Sequence, residues 1–118
     1  MQIDKDLVAA SATPLVLGVL ARGDSYGYAL LSEVRRLSDG RMEWTDGMLY
    51  PLLHRLERTG MVESYWETPS TGRRRKHYAL TGVGREALAE RRQQWAVVSS
   101  ALDRAWEGLG PATDAGYA

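Results

Sequence analysis

The chain contains no cysteine, which excludes disulfides, thiolate metal sites and cysteine nucleophiles together. Histidine occurs only at His54 and His77, and no cluster of Asp, Glu and His has metal-ligand spacing, so no metal site is expected. No glycine-rich phosphate loop and no nucleophile in a known motif is present, so an enzyme is not expected and no cofactor is implied. No apolar run approaches membrane-spanning length. The opening MQIDKDLVAA carries acids where a secretory signal has a basic segment, so a cytoplasmic protein is expected. There is no internal repeat. Net charge is also missing: it sums to zero, which argues against coating nucleic acid by bulk attraction. A local basic patch is still open, because charges are screened over about 10 Å at ordinary salt.

What remains is a chain of 118 residues, enough for one core. Residues 7–20 are rich in Leu, Val and Ala and read as a helix buried on most sides, with Pro14 kinking or breaking it. Ser25 is the expected N-cap of a second helix, with Tyr28, Leu31, Val34 and Leu37 on its apolar stripe. Ser38-Asp39-Gly40 ends it. Thr45 caps a third helix over 46–59, in which Leu49, Leu52, Leu53 and Leu56 recur at helical spacing and Gly60 is the stop. Pro51 distorts it locally. Residues 61–67 alternate as a strand, Val62 and Trp66 on one face and Glu63 and Glu67 on the other. A turn cluster over 68–72 leads into a second alternating strand over 75–80, with Tyr78 and Leu80 on its apolar side. Trp44, Trp66 and Trp106 are assigned to packing.

Thr81 caps a last helix reaching about Trp106, roughly 26 residues or about 39 Å. Leu88, Trp95, Leu102 and Leu109 fall seven apart, with Val98 and Ala105 between them and Arg91 as the interruption. So small a domain cannot hide this seam, so a homodimer is expected, with Leu88, Trp95, Val98, Leu102 and Leu109 at its interface. The tail over 108–118 is Gly, Ala and Pro with little to bury, and reads as disordered. The expected division is therefore 1–81, 82–107 and that tail. A dimer built on the long helix alone is the competing reading, but it leaves the basic hairpin without a role.

The fold class is mainly α with a small β-hairpin: a winged helix-turn-helix followed by a long dimerisation helix. In that geometry the helix over 46–59 enters the major groove of double-stranded DNA. The run Arg73, Arg74, Arg75, Lys76 sits at the hairpin tip, where forked donors suit phosphate. A solvated hairpin tip is the bland alternative, and position after a helix-turn-helix argues against it. Alternation sends Arg73 and Arg75 to one face and Arg74 and Lys76 to the other. Thr45 is first a cap and secondarily a DNA contact. Gly47 permits close approach to DNA or to the second helix. Met48 is assigned to a thymine methyl, Arg55 to a phosphate, and Tyr26 to the DNA backbone; His54 reads as a surface histidine.

SYGYALLSEV, then LYPLLHRLERTGMVESYW, then GRRRKHYALTGVG together resemble the PadR family of bacterial transcriptional regulators. The likeness runs from about Leu7 to Trp106. The single C-terminal helix resembles the smaller branch of that family, which contains the lactococcal multidrug-sensing repressor. The resemblance implies a homodimeric repressor on an inverted-repeat operator, and it implies that Tyr50 contacts the DNA backbone. It also implies a flat pore between the dimer halves for a small aromatic or apolar effector, lined at Leu7, Ala10, Pro14, Trp95 and Ser99. Ser99 stands where the multidrug branch has an acid, and Pro14 where it has a β-branched residue, which argues against cationic drugs.

Overall fold

The computed structural model describes residues 1–111. The chain runs α1 (Lys5–Arg22), β1 (Ser25–Tyr26), α2 (Gly27–Leu37), α3 (Asp46–Arg58), β2 (Val62–Glu67), β3 (Arg75–Leu80) and α4 (Gly82–Ala105). It is mainly helical, with a small antiparallel sheet in the order β1-β3-β2. The expected hairpin is present, with Trp66 opposite Lys76 and Glu67 opposite Arg75. A third strand joins it, because Ser25 and Tyr26 are extended and pair with Tyr78 and His77. Ser25 is therefore not the cap of α2. Tyr26 takes that place, and its side chain makes no capping bond.

The core is one cluster in which α1 gives Val16, Leu17 and Leu20, α2 gives Leu30 and Val34, and α3 gives Leu49, Leu53 and Leu56, closed by Val62 and Tyr78. No charged or polar residue among the described residues is buried with them. α1 passes through Pro14 without interruption, and only one of its faces is buried, at Ala12, Val16, Leu17 and Leu20. α2 is rotated from the expected stripe. Gly27, Leu30 and Val34 face inward, while Tyr28 is 76% exposed and Leu37 is exposed as well. Gly27 sits under Tyr50, whose hydroxyl lies where a Cβ of residue 27 would be, so a larger residue fits only if the Tyr50 tip moves, and Tyr28 is turned outward.

α3 follows its local signals. Thr45 Oγ1 accepts from the Met48 amide at 3.3 Å. Leu49, Leu52, Leu53 and Leu56 are its buried residues. Gly60, at φ +80°, closes the helix: its amide donates to Glu57 at 3.1 Å, and the Met61 amide donates to Leu56 at 2.9 Å. Only a residue that tolerates positive φ makes this pair of bonds without strain. Trp44 packs in the core as expected. Trp66 and Trp106 do not, each being 58% exposed, since the hairpin tip and the end of α4 both project beyond the core.

Thr81 ties the end of the sheet to α4. Its hydroxyl donates to the Gly60 carbonyl at 2.5 Å and accepts from the Gly84 amide at 3.1 Å. Its own amide donates to Met61 at 3.1 Å. Beyond this anchor α4 runs beside α1 as far as Trp95 and its later turns project from the domain; the radius of gyration is 16.7 Å, against roughly 13–14 Å for a compact chain of this length. Val97, Val98 and Leu102 stand exposed on it. Leu109 does not continue the seam, because α4 ends at Ala105 and Gly108 and Gly110 both adopt positive φ. Of the expected disordered tail, residues 112–118 lie outside the described residues.

Candidate nucleic-acid interface

α2 and α3 form a helix-turn-helix pair, and the β2–β3 hairpin is its wing. The outward face of α3 carries Gly47, Tyr50, Pro51, His54 and Arg58, all exposed, one face because they recur at three- and four-residue spacing. Beside this face lies a cleft of about 460 Å³, walled by the start of α2, by Tyr50 and His54 of α3, and by Arg74, Arg75 and Lys76 of the wing. α3 and the basic wing therefore meet in one concave surface.

The wing cations differ in their surroundings. The Arg74 guanidinium lies 4.9 Å from the Trp66 ring centre, and that of Arg75 lies 4.5 Å from Tyr26. Such stacking holds a guanidinium without neutralising it. Neither arginine, nor Arg73, has an acid partner among the described residues. Lys76 is different: its Nζ is 4.0 Å from Glu57 and 5.7 Å from the Tyr78 ring centre. Glu57 in turn accepts a short hydrogen bond from Ser64. The alternation read from the sequence is thus visible, with Lys76 turned to α3 and Arg75 to the outer face of the sheet.

That outer face is an aromatic stack. His77 lies between Tyr65, with ring centres 5.5 Å apart, and Tyr26, at 5.3 Å edge-on. Its Nε2 is 3.5 Å from a Glu67 oxygen. Tyr65 donates to Asp24 at 2.7 Å, and this bond to a carboxylate pushes its phenol up to about 12. The stack joins the wing to β1, and the same Tyr26 ring carries the Arg75 guanidinium.

The remaining expected DNA contacts are more scattered. Thr45 is exposed at the start of α3 as its cap. Gly47 has only the Thr45 hydroxyl near its absent Cβ, at 3.7 Å, so it makes no close approach to α2. Met48 lines a separate cavity of about 880 Å³ with Met1, Ile3, Met42 and Trp44, outside the cleft. Arg55 is exposed in the last turn of α3, also outside it. Tyr28, His54 and Trp66 line the cleft although the sequence reading gave them other places. Exposure of Tyr28 follows from Gly27, a signal the hydrophobic pattern cannot carry.

The expected effector positions are split. Pro14 and Trp95 line one groove of about 590 Å³ between α1 and α4, with Ser11, Leu15 and Leu88. Leu7, Ala10 and Ser99 are exposed and stand outside it. Leu88 and Trp95 of the expected dimer seam are half-buried against α1, whereas Val98 and Leu102 face solvent. No group of three or more His, Cys, Asp or Glu among the described residues could hold a metal. No helix among them is long and apolar enough to cross a membrane.

Known proteins share this arrangement. A PadR-like transcriptional regulator from Bacillus cereus strain ATCC 14579 is 26% identical, with a TM-score of 0.78 over 88% of this chain and 99% of that one. A PadR family regulator from Eggerthella lenta DSM 2243 is 34% identical, with a TM-score of 0.70 over 87% of this chain and 84% of that one. The transcriptional regulator YqjI of Escherichia coli is 31% identical over 80 residues, 68% of this chain, which spans only 37% of that protein's length. Residues 16–90 match the family of PadR-like transcriptional regulators. With this winged helix-turn-helix and that match over more than half its length, the chain belongs to the PadR-like family, whose members regulate transcription, bind DNA and are not enzymes.

Proposed function

We propose that the protein is a homodimeric, sequence-specific repressor, of the small PadR branch, that binds a two-fold symmetric operator in the cytoplasm. Residues 1–81 are the DNA-binding unit, including α1, and 82–107 the dimerisation helix. The observation that carries the reading is the wing: three arginines with no acid partner among the described residues, two of them stacked on aromatic rings, beside the exposed face of α3. Base readout falls to the first turns of α3, from Gly47 and Met48 to Tyr50, with Thr45 at its start. Phosphate contacts fall to Arg73, Arg74, Arg75, Lys76 and Arg55, and to Tyr26 at the foot of the wing. Two such units spaced by α4 fit half-sites about 34–36 Å apart.

Leu88, Trp95, Val98 and Leu102 form the seam between protomers. A small aromatic or apolar effector enters beside Trp95 and Pro14, with Leu7, Ala10 and Ser99 closing the site only when the second protomer is present. The test is an electrophoretic shift with the promoter of the protein's own gene, repeated across salt. Log K is expected to fall with log salt at about 0.9 per neutralised phosphate, and less steeply for the Arg73→Ala, Arg75→Ala double variant. An unchanged slope removes the wing from the mechanism. A dimer that shows no shift on any DNA favours the competing reading, a helix-mediated interaction protein. Aromatic compounds that quench tryptophan fluorescence in the wild type but not in Trp95→Phe support the effector site; equal quenching refutes it.

A further inference from the structure

The cavity of about 880 Å³ that takes in Met48 is separate from both the wing cleft and the groove beside Trp95. It is lined by residues 1–3, by the first turns of α1 and by the loop that leads into α3. Its volume is in the range of small-molecule sites, about 300–1,000 Å³. Three of the chain's four methionines, Met1, Met42 and Met48, gather there beside Ile3 and Val8. Methionine is unbranched and re-packs at low cost, so such a wall yields to a flexible apolar chain. Two cations share the lining, Lys5 and Arg41, and neither has an acid partner among the described residues. Glu43, the one acid in the lining, is engaged with Arg35 at 3.4 Å. Trp44 is the independent observation. It is 7% exposed, and its indole Nε1 is the one buried side-chain polar atom without a hydrogen-bond partner among the described residues. Trp44 also borders a hollow of about 320 Å³ with Tyr28 and Ser32, and neither hydroxyl bonds its nitrogen. A buried donor left unpaired costs about 1–3 kcal/mol and calls for an explanation.

We infer that this cavity binds an unbranched aliphatic carboxylate, its chain along the methionines and its head group between Lys5, Arg41 and the Trp44 N–H. The methionines part to let one carboxylate oxygen accept from Nε1, and the two cations face the other oxygen. The same site reaches the DNA-facing helix. Trp44 directly precedes the Thr45 cap of α3, and Met48 lies in the first turn of that helix, 37% exposed. A bound chain draws Met48 inward, off the side proposed to read bases. Ligand and operator therefore oppose each other, by the same factor in either direction. The binding site stands on the cavity alone, and only this opposition rests on the DNA-binding reading.

The probe is decanoate, kept below its micelle-forming concentration and titrated into the full chain without DNA. The readout is the assigned indole N–H signals of the four tryptophans, Trp44, Trp66, Trp95 and Trp106. The Trp44 signal is expected to shift as its proton gains an acceptor, with the Trp95 signal unmoved and the titration unchanged in Trp95→Phe. Lys5 and Arg41 are both exposed, so the Lys5→Gln, Arg41→Gln double variant should fold like the wild type. It is expected to bind decanoate about 3–10-fold more weakly, the scale of two exposed ion pairs. Decanol, which keeps the chain and lacks the charge, should lose a similar factor. Decanol that binds as tightly as decanoate, or a shift at Trp95 in place of Trp44, overturns the site. A Trp44 signal that moves on dilution of the protein and ignores decanoate gives the cavity to a second copy of the chain, and that also overturns it. With decanoate bound, operator affinity is expected to fall about 5–10-fold; an unchanged affinity overturns the link to α3. Protein that binds no DNA yet shows the Trp44 shift supports the site and sinks the DNA reading alone.

Discussion

A Cβ at Gly27 or at Gly84 would meet another atom well inside contact distance, yet substituting them should have different consequences. Neither has positive φ, so alanine is conformationally acceptable at both and gains about 0.4–1 kcal/mol by restricting the unfolded chain. At Gly84 a Cβ meets the Met61 carbonyl oxygen, and the Leu80 Cδ1 atom lies at 2.5 Å. The carbonyl is backbone, and it also accepts the Thr81 amide, so it cannot step aside alone. Overpacking of that kind costs about 1–3 kcal/mol, which outweighs the gain; Gly84→Ala should lose roughly 1–2 kcal/mol net. At Gly27 the obstacle is the tip of the Tyr50 side chain, which can swing into the cleft. Gly27→Ala should therefore stay within about 0.5 kcal/mol of the wild type but weaken operator binding, because Tyr50 is driven off its place. Gly82, with nothing within 4 Å of its Cβ position, is the control, and Gly82→Ala should be neutral or stabilising. Urea unfolding at one fixed protein concentration, beside a gel shift, reads all three. If Gly84→Ala is as stable as Gly82→Ala, or Gly27→Ala loses stability while keeping its affinity, the close-approach reasoning is wrong.

Thr81→Ala removes the α4 cap and the bond to Gly60 together, and a loss of about 1–2 kcal/mol is expected by urea unfolding; no loss would show the cap to be redundant. Leu102→Asp places a charge in the exposed seam of α4 and should give a monomer by light scattering at tens of micromolar, with the helical circular dichroism unchanged. A dimer that persists moves the interface off this seam. Tyr65 has its phenol raised to about 12 by Asp24, above the ordinary value of about 10. The folded chain then holds a proton that the unfolded chain releases, so this contribution to stability is complete below pH 10 and is lost as pH rises towards 12. Burial also raises the Tyr78 phenol, so absorbance at 295 nm should show more than one phenol titrating late, and Tyr65→Phe should remove the contribution held up by Asp24.

Sequence patterns read α3 almost completely, since a cap, four leucines and a stop glycine are all local signals. They misplaced α2 by one residue for a reason that lies elsewhere in the chain. A periodicity count treats glycine as an empty position, whereas Gly27 is the buried one because Tyr50 crosses it. β1 was invisible because two residues have no period, and it exists only because β3 offers an edge to pair with. Trp66 was assigned the correct face of β2 but the wrong burial: alternation describes a strand's faces, not where the core ends. The heptad reached Leu109 because counting by seven does not register that Gly108 and Gly110 turn the chain. In the site, the cations were plain from the outset. Their aromatic supports and the cleft itself were not, because Tyr26, Tyr50 and Trp66 come from three separate elements.

The basic run and the seam helix are joined by a junction with little slack. β3 ends at Leu80 and α4 starts at Gly82, so Thr81 alone separates them. Its amide and hydroxyl both bond to the loop that ends α3, and Gly84 packs against the same Met61 carbonyl. A change in the angle of α4, such as the proposed partner or effector would impose, thus cannot be absorbed by a flexible connection. It must rotate the wing and the end of α3 with it, or break these bonds. In the proposed dimer, half-site spacing is read by the distance between two such units, so a small rotation of α4 would be enough to misplace one of them on DNA. On this geometry, two glycines inserted after Thr81 should preserve each unit's fold and leave non-specific affinity intact. They should also reduce discrimination between operators that differ only in half-site spacing. Equal discrimination with and without the insertion would mean that spacing is measured by contacts other than this junction.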